Sequence, residues 1–520
     1  MNVYATSKPG SSLANVWMGV DLLLASGGDE RVAPDPVTRR NRYGTTATPS
    51  PREIFFSSST ASTITPRAYR AAETAWTALA TGSIGGQRGL DAWFDGIRAR
   101  LVDLFGIVGC GVILTGSGTE AELTTLAIAK GVLEGPLTNI VLAPSETGSG
   151  VLRAAGGAHF LNSTAFGERC SAGDRLGGWA NADIERASVE IRDAQGAPRA
   201  AADVDDEAHL RAVAALAAGR NVLLHCLETS KTGLSGLSPA AAGQLLAGAP
   251  DRVAVVADCC QLRCSRAHVR QMLRLGFMVV ITGSKFFGGP PFSGALLAPP
   301  GLLKRIEQLA PPAGLADYSS RLDWPGDLRA RVCMRWANEA NLGLGLRWVA
   351  ALSEMERYFA APAHLRRKVW AHFEQAVRRK ARSVAHLHEA FGDADSATGH
   401  SKGILSFIMS HRDGAPFSLA ETGSVHARLR LPCARGSSGD AALKQIFHLG
   451  QPVPIGCNAA LRVCASAPLI SDVAERVQRG ESLDAAFEPW GRRLEALFEK
   501  WTALIGETID RRGAVRSQEP

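Results

Sequence analysis

The sequence is organised around two stretches, Val253-Ala254-Val255-Val256-Ala257-Asp258 and Thr282-Gly283-Ser284-Lys285-Phe286-Phe287-Gly288-Gly289. The first is a buried-strand pattern that ends in a carboxylate. The second follows the apolar run 277–282 and carries a lysine 27 residues after Asp258. A helical pattern at 266–275 separates the two runs, which is typical of neighbouring parallel strands. Open α/β sheets bind ligands at the carboxyl ends of such strands, so we expect Asp258 and Lys285 to share a site.

The same rhythm of short apolar runs separated by helical segments extends over about 190 residues. It indicates an α/β fold with a mostly parallel seven-stranded sheet covered by helices on both faces. The last run follows its predecessor too closely for a helical crossover, so it is predicted to be antiparallel. The predicted strands are 111–115, 139–143, 187–193, 221–228, 253–258, 277–282 and 294–298.

The pattern changes on either side of this region. Residues 1–85 have weak periodicity and are interpreted as an N-terminal arm, and residues 86–340 form the large domain. Residues 341–520 are predicted to form a smaller C-terminal α+β domain. Within it we expect helices at 342–361, 364–391 and 483–505, and strands near 403–409, 425–431 and 459–463.

Composition excludes several classes of protein. The 520 residues carry 57 Lys and Arg against 50 Asp and Glu, with 46% apolar residues, as expected for a globular chain with a large core. The basic runs 366–368 and 378–380 resemble a solvated helix face more than a nucleic-acid site. No long apolar run suggests a membrane span. Ten cysteines without a C-x-x-C pair indicate reduced thiols in the cytoplasm, and no metal site is expected.

The loop Thr115-Gly116-Ser117-Gly118-Thr119 joins a predicted strand to a predicted helix. Backbone N–H groups at a helix start, with the hydroxyls of Ser117 and Thr119, can hold a phosphate group. The loop lacks the lysine of a P-loop, so a plain glycine-rich turn with a helix cap is an equal alternative.

Asp258 and Lys285 have chemistry that suits a heterocyclic cofactor. A strand-end carboxylate can keep a ring nitrogen protonated, and the amide of Gln261 can bond a ring oxygen. Partial desolvation among glycines and aromatic residues favours the neutral lysine amine that Schiff-base formation requires. The alternatives are that Asp258 caps the following helix and that Lys285 is an ordinary surface lysine.

Taken together, the order of these features resembles that of fold-type I pyridoxal 5′-phosphate (PLP) enzymes. The order runs from the phosphate loop through the turn Glu228-Thr229-Ser230-Lys231-Thr232-Gly233 to the strand-end Asp258, Gln261 and then Lys285. It is most similar to the class V aminotransferase and cysteine desulfurase group. The resemblance covers residues 90–300 well and the C-terminal part weakly.

The resemblance implies a role for individual residues. Lys285 would form the Schiff base with PLP and move the proton at the substrate Cα, and Asp258 would pair with the pyridine nitrogen. Gln261 would bond the phenolic oxygen of the cofactor. The remaining residues implied to lie around the cofactor are Ser117, Gly118, Thr119, Thr147, Thr282 and Ser284.

Two positions depart from the group's pattern. Thr147 stands where an aromatic residue or histidine usually covers the cofactor ring, and Ser284 replaces a frequent histidine. These departures leave the type of reaction open.

Two C-terminal residues are candidates for the substrate side. Arg462 resembles the arginine that binds the substrate α-carboxylate, the alternative being an ordinary surface arginine. Cys433 lies where desulfurases carry a nucleophilic thiol, the alternative being a simply buried cysteine.

The expected function is therefore that of a PLP-dependent transferase, an aminotransferase acting on a small amino acid. A cysteine desulfurase or another elimination lyase is the alternative, followed by a non-catalytic protein of the same fold. The resemblance also implies a homodimer, with no nucleic-acid or membrane partner.

Overall fold

A computed structural model describes residues 18–180, 183–390, 402–432 and 441–516, with side chains as far as residue 511. Twelve strands in this part of the chain form two sheets. The strands are β1 (Glu53–Phe56), β2 (Gly111–Thr115), β3 (Leu137–Leu142), β4 (Ile184–Val189), β5 (Asn221–Leu227), β6 (Val253–Cys259), β7 (Met278–Thr282), β8 (Gly294–Ala298), β9 (Leu387–Glu389), β10 (Ile404–Met409), β11 (Ile446–Ile455) and β12 (Asn458–Cys464).

Sixteen α-helices accompany these strands in the described residues. They are α1 (Val20–Leu24), α2 (Pro66–Ala80), α3 (Gly86–Phe105), α4 (Gly118–Leu133), α5 (Val151–Ala155), α6 (Ala201–Ala217), α7 (Pro239–Gly248), α8 (Arg266–Arg274), α9 (Pro300–Ile306), α10 (Gly326–Val332), α11 (Leu342–Ala360), α12 (Ala363–Ala381), α13 (Leu419–Leu429), α14 (Ala441–Lys444), α15 (Ala467–Gln478) and α16 (Leu483–Arg516). Short 3₁₀ turns lie at Pro144–Glu146, Ala313–Asp317 and Arg321–Asp323. None of the described helices is both long and apolar enough to cross a membrane.

The larger sheet has the order β2-β8-β7-β6-β5-β3-β4. Strands β3 to β7 pair in parallel, and β8 is antiparallel to both β2 and β7. Successive residues of β6 point to opposite faces, so Val255 packs into one hydrophobic cluster and Val256 into another. Helices cover both faces of this sheet, and the predicted α/β fold class with its seven-stranded sheet is confirmed.

The smaller sheet has the order β1-β11-β12-β10-β9. Strand β1 comes from the N-terminal arm and pairs in parallel with β11, whereas the other pairs are antiparallel. A strand of the N-terminal arm therefore belongs to the same sheet as the C-terminal strands. The sequence did not predict this pairing.

Two predictions in the C-terminal region are wrong. Residues 425–431, predicted to be a strand, lie mostly in helix α13, whose first turn has a capping box between Ser418 and Glu421. The helix predicted to run to residue 391 ends at Ala381, and β9 follows. His388 therefore lies on a strand and not on a helix, and its Nε2 lies 3.0 Å from Ser410 Oγ.

Candidate functional site

A cavity of about 350 Å³ lies at the carboxyl edge of the larger sheet. Strands β5, β6 and β7 end at this cavity, as the sequence predicts for a ligand site. Cys433 lies outside the described residues. Every other residue that the sequence predicts for the site lines the cavity, namely Ser117, Gly118, Thr119, Thr147, Asp258, Gln261, Thr282, Ser284, Lys285 and Arg462.

One end of the cavity is formed by the start of helix α4. Ser117 is its N-cap, and the hydroxyl oxygen accepts a hydrogen bond from the Glu120 N–H at 3.2 Å. Gly118 permits close packing against the residue that follows β6, because a Cβ atom there would lie 2.6 Å from Cys260 Sγ. The positive end of the helix dipole and the hydroxyls of Ser117 and Thr119 suit an anion.

Arg31, which sequence reasoning missed, completes this end of the cavity. Its guanidinium donates to Ser117 Oγ at 3.1 Å and to Thr119 Oγ1 at 3.4 Å. The group lies between two aromatic rings, 5.2 Å from the centroid of Phe160 and 4.9 Å from that of Phe292. A fixed cation thus joins the hydroxyls at the helix start, as recognition of a phosphate requires.

Asp29 holds Arg31 in place. The carboxylate accepts two hydrogen bonds from the guanidinium, from Nε at 2.8 Å and from Nη2 at 2.6 Å. Burial by itself lowers the pKa of Arg31, but the charge and hydrogen bonding of Asp29, together with the charges of Tyr43 and Glu120, outweigh that effect and the pKa is raised. Arg31 is therefore a permanent cation, oriented by a bidentate pair.

Asp258 and Gln261 lie at the middle of the cavity. Asp258 Oδ1 accepts a hydrogen bond from the Cys260 N–H at 2.9 Å, and Ser265 caps helix α8. The alternative role of Asp258 as the helix cap is therefore wrong. Gln261 donates to the Ser59 carbonyl at 3.0 Å, whereas its buried Oε1 has no partner in the described part of the chain. A buried polar atom without a partner beside a cavity fits a site completed by a ligand.

Lys285 follows strand β7 and lines the cavity. Within the described residues its amine makes no hydrogen bond or ion pair, so it is available to react. The next two residues, Phe286 and Phe287, are buried in the core and fix the backbone. Gly283 allows that backbone to approach helix α11, because a Cβ atom there would lie 2.5 Å from Ala351 Cβ.

Hydrogen bonds join the loop after β5 to the 3₁₀ turn that contains Glu146. The Glu146 carboxylate is buried, pairs with Arg192 and accepts hydrogen bonds from the hydroxyls of Ser230, at 2.7 Å, and Thr232. The Lys231 N–H donates to the Glu146 carbonyl at 3.0 Å. This network fixes the backbone of Lys231, whose side chain lines the cavity.

Arg462 lies on β12 of the smaller sheet, and it is only 1% exposed. The alternative of a surface arginine is therefore wrong. Its guanidinium donates to the carbonyls of Lys231 and Gln451 at 3.0 and 2.7 Å, and to Thr60 Oγ1 at 3.1 Å. Three of its five N–H donors are thus used within the described residues, and the buried Nε has no partner.

Thr147 lines the cavity as predicted, and aromatic residues from other segments also line the cavity. Tyr43 and Phe292 line the same cavity with ring centroids 6.4 Å apart. His225 adds an imidazole, held by Asn139 at 2.9 Å and by Glu122 at 3.2 Å. Burial lowers the pKa of His225, but the charge and hydrogen bond of Glu122, together with the charge of Asp258, outweigh that effect and the net pKa is raised.

Comparisons with known proteins agree on the fold. No family model matches the chain, and no curated protein matches its sequence. Among solved structures, the chain is similar to the cysteine desulfurase CsdA from Escherichia coli, with a TM-score of 0.51 at 13% identity over 88% of this chain and 95% of that one. It is also similar to Oryza sativa TDC solved with PLP and tryptamine, with a TM-score of 0.51 at 13% identity over 87% and 83%.

A third similar structure is a lysine-to-alanine mutant of C-DES with glycine covalently linked to its PLP cofactor. Its TM-score is 0.50 at 14% identity, over 86% of this chain and 99% of that one. The chain therefore has the fold of the fold-type I PLP enzymes, as the sequence resemblance implies.

Proposed function

We propose that this protein is a PLP-dependent aminotransferase that acts on a small amino acid. The observation that carries the proposal is the convergence of three groups on one cavity. An anion cradle lies at the start of α4, a carboxylate lies at the end of β6, and an unpaired lysine follows β7. Fold similarity to PLP-bound structures supports the same cofactor.

The residues present fit PLP chemically. Ser117, Thr119 and Arg31 offer hydroxyls and a guanidinium to a phosphate, and Asp258 offers a carboxylate to a ring nitrogen. The Gln261 side chain has an unused Oε1 and lines the same cavity. When bound, PLP supplies an electron-accepting ring that stabilises the carbanion formed at the substrate Cα.

The protein groups then have distinct tasks. The Lys285 amine takes the proton from the substrate Cα and later returns a proton, because it is unpaired and faces the cavity. Asp258 would hold the ring nitrogen of PLP and keep it protonated. Arg462 binds the substrate carboxylate with its remaining N–H donors, and burial of this wall excludes water from the reacting atoms.

The environment of Cys260 argues against desulfuration by a cysteine that lines the cavity within the described residues. Cys260 lines the cavity, but burial raises the pKa of its thiol well above the usual value, and the charge of Asp258 adds to that effect. The thiol stays protonated at neutral pH, whereas sulfur transfer requires the thiolate.

The proposal is tested by adding PLP to the purified protein and recording the visible spectrum with a panel of amino acids. A transaminase forms a keto acid from the amino donor only when a second keto acid is present as acceptor. Release of sulfide or ammonia without an acceptor would establish a lyase instead, with Cys433→Ala as the variant that tests a thiol relay. A protein that binds PLP but converts no amino acid would establish a non-catalytic role.

We also propose a cytoplasmic homodimer: the homodimer rests on the sequence resemblance, and the location rests on the cysteines without a C-x-x-C pair. Mass measurement by light scattering tests the oligomeric state, and a mass of 55.0 kDa would contradict it.

A further inference from the structure

Lys231 is a second lysine of the cavity, and the proposed reaction does not use it. Its backbone is held on both sides, since its N–H donates to the Glu146 carbonyl and its own carbonyl accepts from Arg462 Nη1, each at 3.0 Å. Lys231 lines the cavity together with Lys285 and Arg462, and the charges of both act on its ammonium. Lys231 is therefore fixed beside the residues proposed to react with and bind the substrate.

The Lys231 ammonium lacks an anionic partner. It makes no hydrogen bond or ion pair within the described residues. Burial lowers its pKa to about 8, and the nearby charges of Arg462 and Lys285 contribute to that lowering. Glu146 opposes the lowering, but its carboxylate is already paired with Arg192.

The other carboxylates of the cavity wall are also engaged. Glu122 accepts a hydrogen bond from Asn139 at 2.9 Å and lies 3.2 Å from His225. Asp258 accepts from the Cys260 N–H and would pair with the ring nitrogen of PLP. A partly buried cation without a counter-ion is unfavourable unless a ligand supplies the negative charge.

We propose that Lys231 binds a second anionic group of the substrate, so that the site takes an amino acid with an acidic side chain. This inference rests on the proposed function. Arg31 serves the phosphate end, Lys285 serves the reaction and Arg462 serves the α-carboxylate. Arg42 also lines the cavity, but it is exposed to solvent. Lys231 remains as the half-buried cation for a side-chain carboxylate.

The test compares acidic amino acids with their amides, which have nearly the same shape. The PLP-loaded protein is titrated with L-aspartate and L-glutamate, and with L-asparagine and L-glutamine, following the visible absorbance of the cofactor. We expect the acids to bind roughly 10- to 100-fold more tightly than the amides, as for a hydrogen bond between charged groups. The variant Lys231→Met should bring the ratio close to one by weakening only the acids.

Two further variants make the comparison specific. Lys231→Arg keeps the charge and should retain part of the preference. Lys304→Met makes the same change on the exposed surface of α9 and should keep the full ratio. Amides that bind wild-type protein as well as the acids do, or a Lys231→Met variant that weakens acids and amides equally, would overturn the assignment.

A second measurement separates this inference from the cofactor proposal. Succinate carries two carboxylates and no amine, so its binding needs no reaction with PLP. We expect succinate, but not succinamide, to raise the melting temperature of the wild-type protein, and Lys231→Met to abolish the increase. Absence of any PLP absorbance would refute the proposed function, whereas absence of the succinate effect would refute the role of Lys231.

Discussion

The guanidinium of Arg31 donates a hydrogen bond to Ser117 Oγ at 3.1 Å, although 86 residues separate the two along the chain. Ser117 caps the helix at which the predicted phosphate loop ends. Arg31 comes from the N-terminal arm and is oriented by Asp29. The anion cradle is therefore assembled from the arm and the large sheet, and it gains a fixed positive charge that the loop alone lacks.

This relationship predicts that Arg31 contributes to cofactor affinity. Replacing Arg31 alone would leave Asp29 as a buried, unpaired carboxylate, which is destabilising in its own right. The double variant Asp29→Asn/Arg31→Met removes both charges. We expect its affinity for PLP to fall roughly 10- to 100-fold, because a charge-assisted contact to the phosphate is lost.

The measurement is a titration of the protein with PLP, read from the visible absorbance and checked by equilibrium dialysis. Arg88→Met, on the exposed surface of α3, is the matched control and should bind PLP like the wild type. Unchanged affinity in a folded double variant would show that Arg31 does not contact the phosphate.

The site residues that the sequence predicts well lie close to one another along the chain. Asp258 and Lys285 end neighbouring parallel strands, so the strand pattern alone brings them together. Arg31 depends on a contact across 86 residues, and its own surroundings have no regular periodicity. Lys231 was visible in the turn after β5, but its lack of a counter-ion emerges only when Glu146 is seen to pair with Arg192.

The wrong strand at 425–431 has a physical explanation. Apolar residues alternate at Val425, Ala427 and Leu429, which imitates the period of a strand. The decisive signal lies upstream, where Ser418 and Glu421 form a capping box for α13. When the apolar residues of a short segment fit both a helix and a strand, the capping residues at its ends therefore determine which structure forms.

The sequence did not predict strand β11, because several of its residues are unusual in strands. It contains Gly450, Pro452 and Pro454, residues that argue against a strand. The structure accommodates them through a shift in register between Gly450 and Val453, and Pro454 lies next to the turn into β12. Such an irregular strand is stabilised by its neighbours and not by its own sequence.

Lys285→Ala is expected to abolish the visible absorbance band of the Schiff base between Lys285 and PLP and to reduce turnover by at least about 100-fold, because the proposed base at the substrate Cα is removed. Lys231→Met is the matched control within the same cavity and should keep the absorbance. Absorbance that persists in Lys285→Ala and disappears only when Lys231 is also replaced would assign the reactive amine to Lys231.

Gly450→Ala tests the position of Arg462 without changing its charge. A Cβ atom at residue 450 would lie 2.8 Å from Arg462 Nε, so the buried guanidinium must shift. We expect KM for the amino acid to rise several-fold while PLP affinity stays unchanged. Gly423→Ala in α13, where an added methyl meets nothing within 4 Å, is the control and should leave both values as they are.

Arg192→Met tests the network that fixes the loop after β5. Glu146 is almost fully buried, and without Arg192 it is left as an uncompensated charge. We expect the free energy of unfolding to fall by roughly 3–5 kcal/mol in urea denaturation. Adding Glu146→Gln should recover part of the loss, whereas breaking the exposed Arg412–Asp510 pair with Arg412→Met should cost less than about 1 kcal/mol.

The preference for acidic substrates should depend on pH through Lys231. Its pKa of about 8 in the free protein means that the ammonium is charged below that pH and loses its proton above it. A bound carboxylate favours the charged form, so the pKa of the complex is higher than that of the free protein. The acid-to-amide affinity ratio should therefore be constant below about pH 7 and fall by up to tenfold per pH unit above 8, until the pKa of the complex is reached.

Other charged groups face Lys231, namely Arg462, Lys285 and Glu146. Their charges and the ionisation of the substrate amine affect acids and amides alike, so the ratio of the two affinities isolates the side-chain carboxylate. The same ratio measured in Lys231→Met should be close to one at every pH. If the ratio falls with the same midpoint in Lys231→Met, one of the neighbouring groups causes the pH dependence. That group, and not Lys231, would then recognise the second carboxylate.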